Sequence, residues 1–87
     1  MNEVLWQQEA VHELADLTER DPRQARRIRE AVTRYERHRQ GDIKTLRGRP
    51  GELRLRVGDW RVILRTEDQG RTVVLNIRLR RDAYDDD

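Results

Sequence analysis

Leu53-Arg54-Leu55-Arg56-Val57-Gly58-Asp59-Trp60-Arg61-Val62-Ile63-Leu64 decides the fold. Apolar and cationic residues alternate on both sides of Gly58-Asp59, and a period of two marks a strand with one face buried. The central pair serves as a two-residue hairpin connection, because glycine takes positive φ at little cost. That register sets Val57 against Trp60, Leu55 against Val62 and Leu53 against Leu64 on a core-facing side. It also sets Arg56 directly opposite Arg61 on the other side, with Arg54 beside Ile63. Two guanidinium groups about 5 Å apart repel by roughly 1 kcal/mol in water and by several times that in a drier place. A hairpin does not need such a pair. It is either a solvated face of splayed arginine stems or a surface prepared for a polyanion, and the planar arginine fork suits phosphate.

Around this hairpin there is material for one small domain, expected to span 1–87. Charged residues are 41% of the chain and mean hydropathy is −1.10, which leans toward disorder. Leu, Ile and Val together supply 20 of 87 residues, just enough for a core. The clear periodicity predicts a folded chain of modest stability. Cysteine is absent, which excludes disulfides and thiol chemistry and fits a reducing cytoplasm. No apolar run approaches a signal peptide or a membrane span, so a cytoplasmic chain without membrane contact is expected. His12 and His38, the two histidines, read as surface residues rather than metal ligands.

The net charge of +2 hides an asymmetry. Residues 1–42 carry 8 basic and 9 acidic side chains, residues 43–81 carry 11 basic and 4 acidic, and 82–87 hold four aspartates. The second half is therefore the basic one, which points to an anionic partner. The acidic tail, 82–87, reads as a solvated, frayed end or as a shield for the arginine face.

Val4-Leu5-Trp6 reads as an edge strand. From Gln8 the spacing becomes helical: Ala10/Val11, Leu14 and Leu17/Thr18 recur at steps of three and four, with Glu9, Glu13 and Asp16 turned outward. Asp21-Pro22 begins a second helix, with aspartate as N-cap and proline in the first turn. Ala25, Ile28, Val32 and Tyr35 form its apolar stripe, and Gly41 suits its end. Its arginines alternate with Glu30 and Glu36 and read as a solvated face. Ile43 and Leu46 tack a connection holding Gly48, Pro50 and Gly51 onto the core. Three strands follow at about 52–58, 60–66 and 72–80, with Glu67-Asp68-Gln69-Gly70 as a turn. In the last strand Val73, Leu75, Ile77 and Leu79 are expected on one face, and Val74, Asn76, Arg78 and Arg80 on the other. The expected class is α+β: a short N-terminal strand, then a helical hairpin packed on one face of a small antiparallel sheet, in the order β-α-α-β-β-β.

The run Leu46-Arg47-Gly48 followed by Gly51-Glu52-Leu53-Arg54-Leu55-Arg56-Val57-Gly58-Asp59-Trp60-Arg61-Val62-Ile63 resembles the sheet signature of the RelE/ParE toxin superfamily. The ending Arg80-Arg81-Asp82-Ala83-Tyr84 is similar to the close of its RelE branch. The chain departs from that pattern at Glu52 and Leu79, where relatives often carry a further lysine or a histidine. The resemblance implies a RelE-like fold and a type II toxin. In the RelE branch it implies a metal-independent endoribonuclease, without cofactor, that cuts mRNA in association with the ribosome. It also implies a cognate antitoxin, with a toxin–antitoxin heterotetramer as one form of the complex. Arg54, Arg56, Arg61, Arg80 and Tyr84 match the branch's catalytic positions. Arg47, Arg49, Arg78 and Arg81 are expected to add RNA contacts.

The residues themselves permit that chemistry. An RNA 2′-hydroxyl is a nucleophile already in place, so the protein supplies orientation and charge stabilisation. Tyr84 is a better base than arginine, since neighbouring cations favour phenolate and lower its pKa from about 10. It otherwise stacks on a base or packs the C-terminal segment onto the sheet. Trp60 shares the Val62 and Leu64 side and reads as core. Two other classes stay open: a ParE-like inhibitor that acts on DNA gyrase by protein contact, and a non-catalytic RNA-binding module.

Overall fold

A computed structural model describes residues 3–79. Strand β1 (Val4–Trp6) leads into α1 (Gln8–Arg20) and α2 (Pro22–His38). Four more strands follow: β2 (Asp42–Thr45), β3 (Glu52–Val57), β4 (Trp60–Thr66) and β5 (Thr72–Leu79), with a 3-10 turn at Asp68–Gly70. They form one sheet in the order β1-β5-β4-β3-β2. The helical hairpin covers one face, which bears out the expected α+β class.

The central hairpin has the register read from the sequence. Val57 pairs with Trp60, Arg56 with Arg61, Leu55 with Val62, Arg54 with Ile63 and Leu53 with Leu64. Gly58 has φ 61 and Asp59 does not have positive φ, the pattern of a type II′ connection. Leu55, Val62, Leu64, Val74 and Ile77 then meet Ala10, Leu17, Ala25, Ile28, Val32 and Tyr35 from the helices. Trp60 is half-buried against the same cluster, as its register requires.

α2 starts as its sequence dictates: the Asp21 carboxylate accepts the Gln24 N–H at 3.1 Å, and Pro22 fills the first turn, where a missing N–H is harmless. Its end differs from expectation. Arg39, not Gly41, takes the left-handed cap with φ 54, and its N–H reaches the Tyr35 carbonyl. The Arg39 guanidinium, 5.0 Å from the centroid of the Tyr35 ring, also donates to Thr72 Oγ1 at 3.3 Å, and these contacts hold the strained residue in place.

Three further details were not in the sequence reading. The connection at 42–51 contains a strand, β2, antiparallel to β3, with Ile43 paired to Leu55 and packed on the core. With one strong apolar side chain in Asp42-Ile43-Lys44-Thr45, period two leaves no trace there. β1 runs parallel to β5, so the sheet is mixed. A register shift places Leu64 opposite Val74 while Ile63 faces Asn76, leaving Leu75 as a bulge. The expected common face of Val73, Leu75, Ile77 and Leu79 is therefore broken: Val74 and Ile77 are in the core, whereas Val73 pairs with Arg65 on the other face.

α1 also differs. Its buried side is Ala10 and Leu17, with Leu14 packed beside them, while Val11 is 46% exposed. Glu9 and Glu13 do not simply face solvent: Glu13 accepts the Ile77 N–H at 2.7 Å, and both carboxylates pair with Arg78. No helix among the described residues is long and apolar enough to cross a membrane.

Candidate functional site

Side chains of neighbouring strands at paired positions stand about 4.5–5.5 Å apart on one face of a sheet. On the face turned away from the helices, register lines up Asp42, Arg56, Arg61 and Arg78 across β2, β3, β4 and β5. The next row holds Lys44, Arg54, Ile63 and Asn76. This juxtaposition is a direct product of the alternation in β3 and β4.

These cations differ in surroundings. Arg54 and Arg61 are 4% and 5% exposed, and Ile63 between them is 7% exposed. Charge held where water is scarce is screened less than charge on an open helix, so an anion approaching Arg54 and Arg61 meets a stronger field. Arg56 is only half-buried. Asp42, on the edge strand, brings its carboxylate to 3.7 Å from Arg54 Nη1 and 3.9 Å from Arg56 Nη1. It thus offsets part of the positive charge at one end of the row.

At the other end, Arg78 is register-adjacent to Arg61, yet its guanidinium is engaged by Glu9 and Glu13 of α1. Arg47 and Arg49 are exposed in the turn between β2 and β3, and Arg49 lies 3.8 Å from Glu52. That turn is at the opposite end of the hairpin from Gly58. Four residues of strand, about 13 Å, separate its β3 end from Arg56, so the fold does not gather these two with the Arg56–Arg61 pair. Arg80, Arg81, Tyr84 and the 82–87 tail lie outside the described residues. Of the expected site residues, the structure thus brings together Arg54, Arg56 and Arg61. It adds Asp42, Glu9 and Glu13, which the sequence reading missed. Those three are far from the arginines in sequence, and no local pattern marks them.

Among the described residues no group of three or more His, Asp or Glu side chains is placed to hold a metal ion. The chemistry of the arrangement suits a phosphodiester: guanidinium donors held close together, two of them nearly buried.

Several solved structures share this fold, a helical hairpin on one face of a five-stranded sheet. The YoeB/ParE toxin from Agrobacterium tumefaciens matches with a TM-score of 0.78 at 19% identity, over 88% of this chain and 96% of that one. The archaeal RelE-RelB complex from Pyrococcus horikoshii matches with a TM-score of 0.74 at 24% identity, over 94% and 98%. The heterotetrameric YoeB-YefM toxin-antitoxin complex from Staphylococcus aureus gives 0.72 at 13% identity, over 87% and 93%. No curated protein matches in sequence. Residues 4–84 match the family described as ParE toxin of type II toxin-antitoxin system, parDE, and the chain belongs to that family.

Proposed function

We propose that this toxin is an endoribonuclease acting on mRNA in the cytoplasm, at the ribosome. The observation that carries the reading is the Arg56–Arg61 cross-strand pair with Arg54 in the adjoining row, two of the three nearly buried. Such a group suits a phosphate, because the planar arginine fork donates to negative oxygens in pairs. In the reaction the 2′-oxygen attacks the adjacent phosphorus, the P–O5′ bond breaks, and charge builds on the non-bridging oxygens. Arg61, with Arg54 and Arg56, stabilises that charge; loss of one such donor typically costs about 2.7–4 kcal/mol of barrier lowering. Tyr84, from the segment after β5, takes the 2′-proton, and Arg80 joins the phosphate contacts. The leaving 5′-oxygen takes a proton from solvent water, so the products are a 2′,3′-cyclic phosphate and a 5′-hydroxyl.

Arg61→Ala is expected to lose at least about a hundredfold in cleavage rate while circular dichroism remains native. Cleavage at the parent rate by a folded Arg61→Ala protein would overturn the assignment.

A second reading has its own support. The matching family carries the ParE name, and Arg78 is spent on Glu9 and Glu13 rather than facing a ligand. On that reading the toxin acts by contact with DNA gyrase. Induction in cells separates the two: translation stops first for a ribonuclease, replication first for a gyrase inhibitor.

The partner is a cognate antitoxin, in a heterotetramer of the kind the S. aureus complex forms. An acidic segment that orders on binding complements the basic sheet face and adds buried area to a small core.

A further inference from the structure

α2 carries a second cationic surface. Arg23, Arg26, Arg27, Arg29, Arg34 and Arg37 are all exposed there, against two acids, Glu30 and Glu36. The buried side of the helix is fixed by Ala25, Ile28, Val32 and Tyr35. At 3.6 residues per turn, five of the six arginines (all but Arg29) fall in a stripe about 100° wide opposite that side. From Arg23 to Arg37 the stripe runs about 21 Å, at 1.5 Å per residue.

Among the described residues, none of the six has a carboxylate within 4.0 Å. Other cations of the chain do find acids: Arg71 pairs with Glu3, Arg65 with Glu67, and Arg78 with Glu9 and Glu13. Like charges three and four residues apart destabilise a helix. The stripe is therefore a concentration of like charge on one helix face, and it disfavours the isolated fold.

The stripe also connects to the sheet. Arg27 and Arg34 share with Arg56 of β3 a groove of about 400 Å³ between α2 and the start of β2. Glu30 and Asp42 are its acids, and Leu55 and Val57 its apolar lining. Cationic residues thus run from the open sheet face, through this groove, onto α2.

We propose that α2 is a second RNA-binding surface, along which the phosphate backbone of an RNA strand tracks after rounding Arg56. RNA is favoured over an acidic protein because the feature is a row of arginines 21 Å long with no apolar anchor points along it, which suits a regularly charged backbone. The continuity with Arg56 rests on the cleavage reading; the charge of α2 stands without it.

The test uses the full chain and a 20-nucleotide 2′-O-methyl RNA, which lacks the nucleophile and cannot be cut. Affinity is measured over a salt series for the parent and for Arg27→Gln/Arg34→Gln/Arg37→Gln, with Arg20→Gln/Arg71→Gln as a charge control. Each phosphate contact on single-stranded nucleic acid contributes about −0.7 to the slope of log K against log salt, so the triple variant should flatten it by about 2. Its affinity at 50 mM salt should fall about tenfold or more, while the thermal midpoint holds or rises as like-charge repulsion is relieved. The control should move the slope little. Equal effects of the control and the triple variant, or an unchanged slope, would overturn the proposal. So would displacement of the RNA by poly-glutamate at equal charge concentration, which assigns the surface to an acidic protein. Because the probe cannot be cleaved, Arg61→Ala failing to cleave and α2 failing to bind are separate results.

Discussion

Glu13 accepts the main-chain N–H of Ile77 at 2.7 Å, joining the middle of α1 to β5. β1 is short and pairs with β5 only from Thr72 to Val74. Among the described residues no strand lies beside β5 on that side beyond Val74, and a backbone donor there needs another partner. One carboxylate fills that place and holds Arg78 at the same time. It anchors the strand that leads to Arg80 and Tyr84.

Glu13→Ala removes the acceptor and strips Arg78 of one of its two acids. The expected cost is about 1–3 kcal/mol, read as a lowered urea midpoint at constant m-value. Glu13→Gln keeps an acceptor for Ile77 and should lose clearly less. Equal losses in the two variants would show that charge, not the backbone bond, matters there.

Gly41 has φ 144, and an added Cβ would stand 2.8 Å from Leu55 Cδ1, a side chain 1% exposed. Gly41→Ala must therefore push Leu55 into neighbours that have no room. A loss of about 1–3 kcal/mol is expected. Gly48→Ala meets nothing within 4 Å and should cost only the strain of its positive φ. Thermal unfolding of both variants separates clash from backbone strain.

Leu64 and Ile28 are fully buried, one in the sheet and one in α2. Truncating either to alanine leaves a cavity and is expected to cost about 2–5 kcal/mol. In a domain this small that is a large part of the total stability, so partial unfolding at room temperature is the expected result by circular dichroism. A double variant should fall short of additivity, since both residues serve one cluster.

Asp42→Asn removes the carboxylate near Arg54 and Arg56. Asp42 is exposed, so the pair is worth little to stability, within about 1 kcal/mol. The same change raises the positive charge of the sheet face. Uncleavable RNA should bind a few-fold more tightly at low salt, with the gain vanishing at high salt. Weaker binding would mean that Asp42 orients the arginines rather than opposing their ligand.

Much of this is legible in the sequence. The alternation around Gly58-Asp59 gave the pairing of Arg56 with Arg61, because a strand's side chains must alternate and a two-residue turn leaves one register. The stripes of α2 and the Asp21-Pro22 start were equally plain, since helix period and cap chemistry are local. The candidate site was legible only in its central hairpin. Arg78 sat on the expected row, but nothing near it in sequence announces Glu9 and Glu13. Glycine commonly ends helices, which points to Gly41 as a helix stop, yet its small size instead makes room for Leu55.

By itself the sequence determined what depends on neighbours a few residues apart: the hairpin turn, the Asp21 cap, the stripe of α2 and the arginines' common face. Tertiary structure alone decided that β2 is a strand, that Leu75 bulges to send Val74 inward, and that Arg54 and Arg61 are nearly dry. Those outcomes depend on which segments meet across the sheet and on hydrogen bonds closed over long stretches of chain, and no short-range pattern records them.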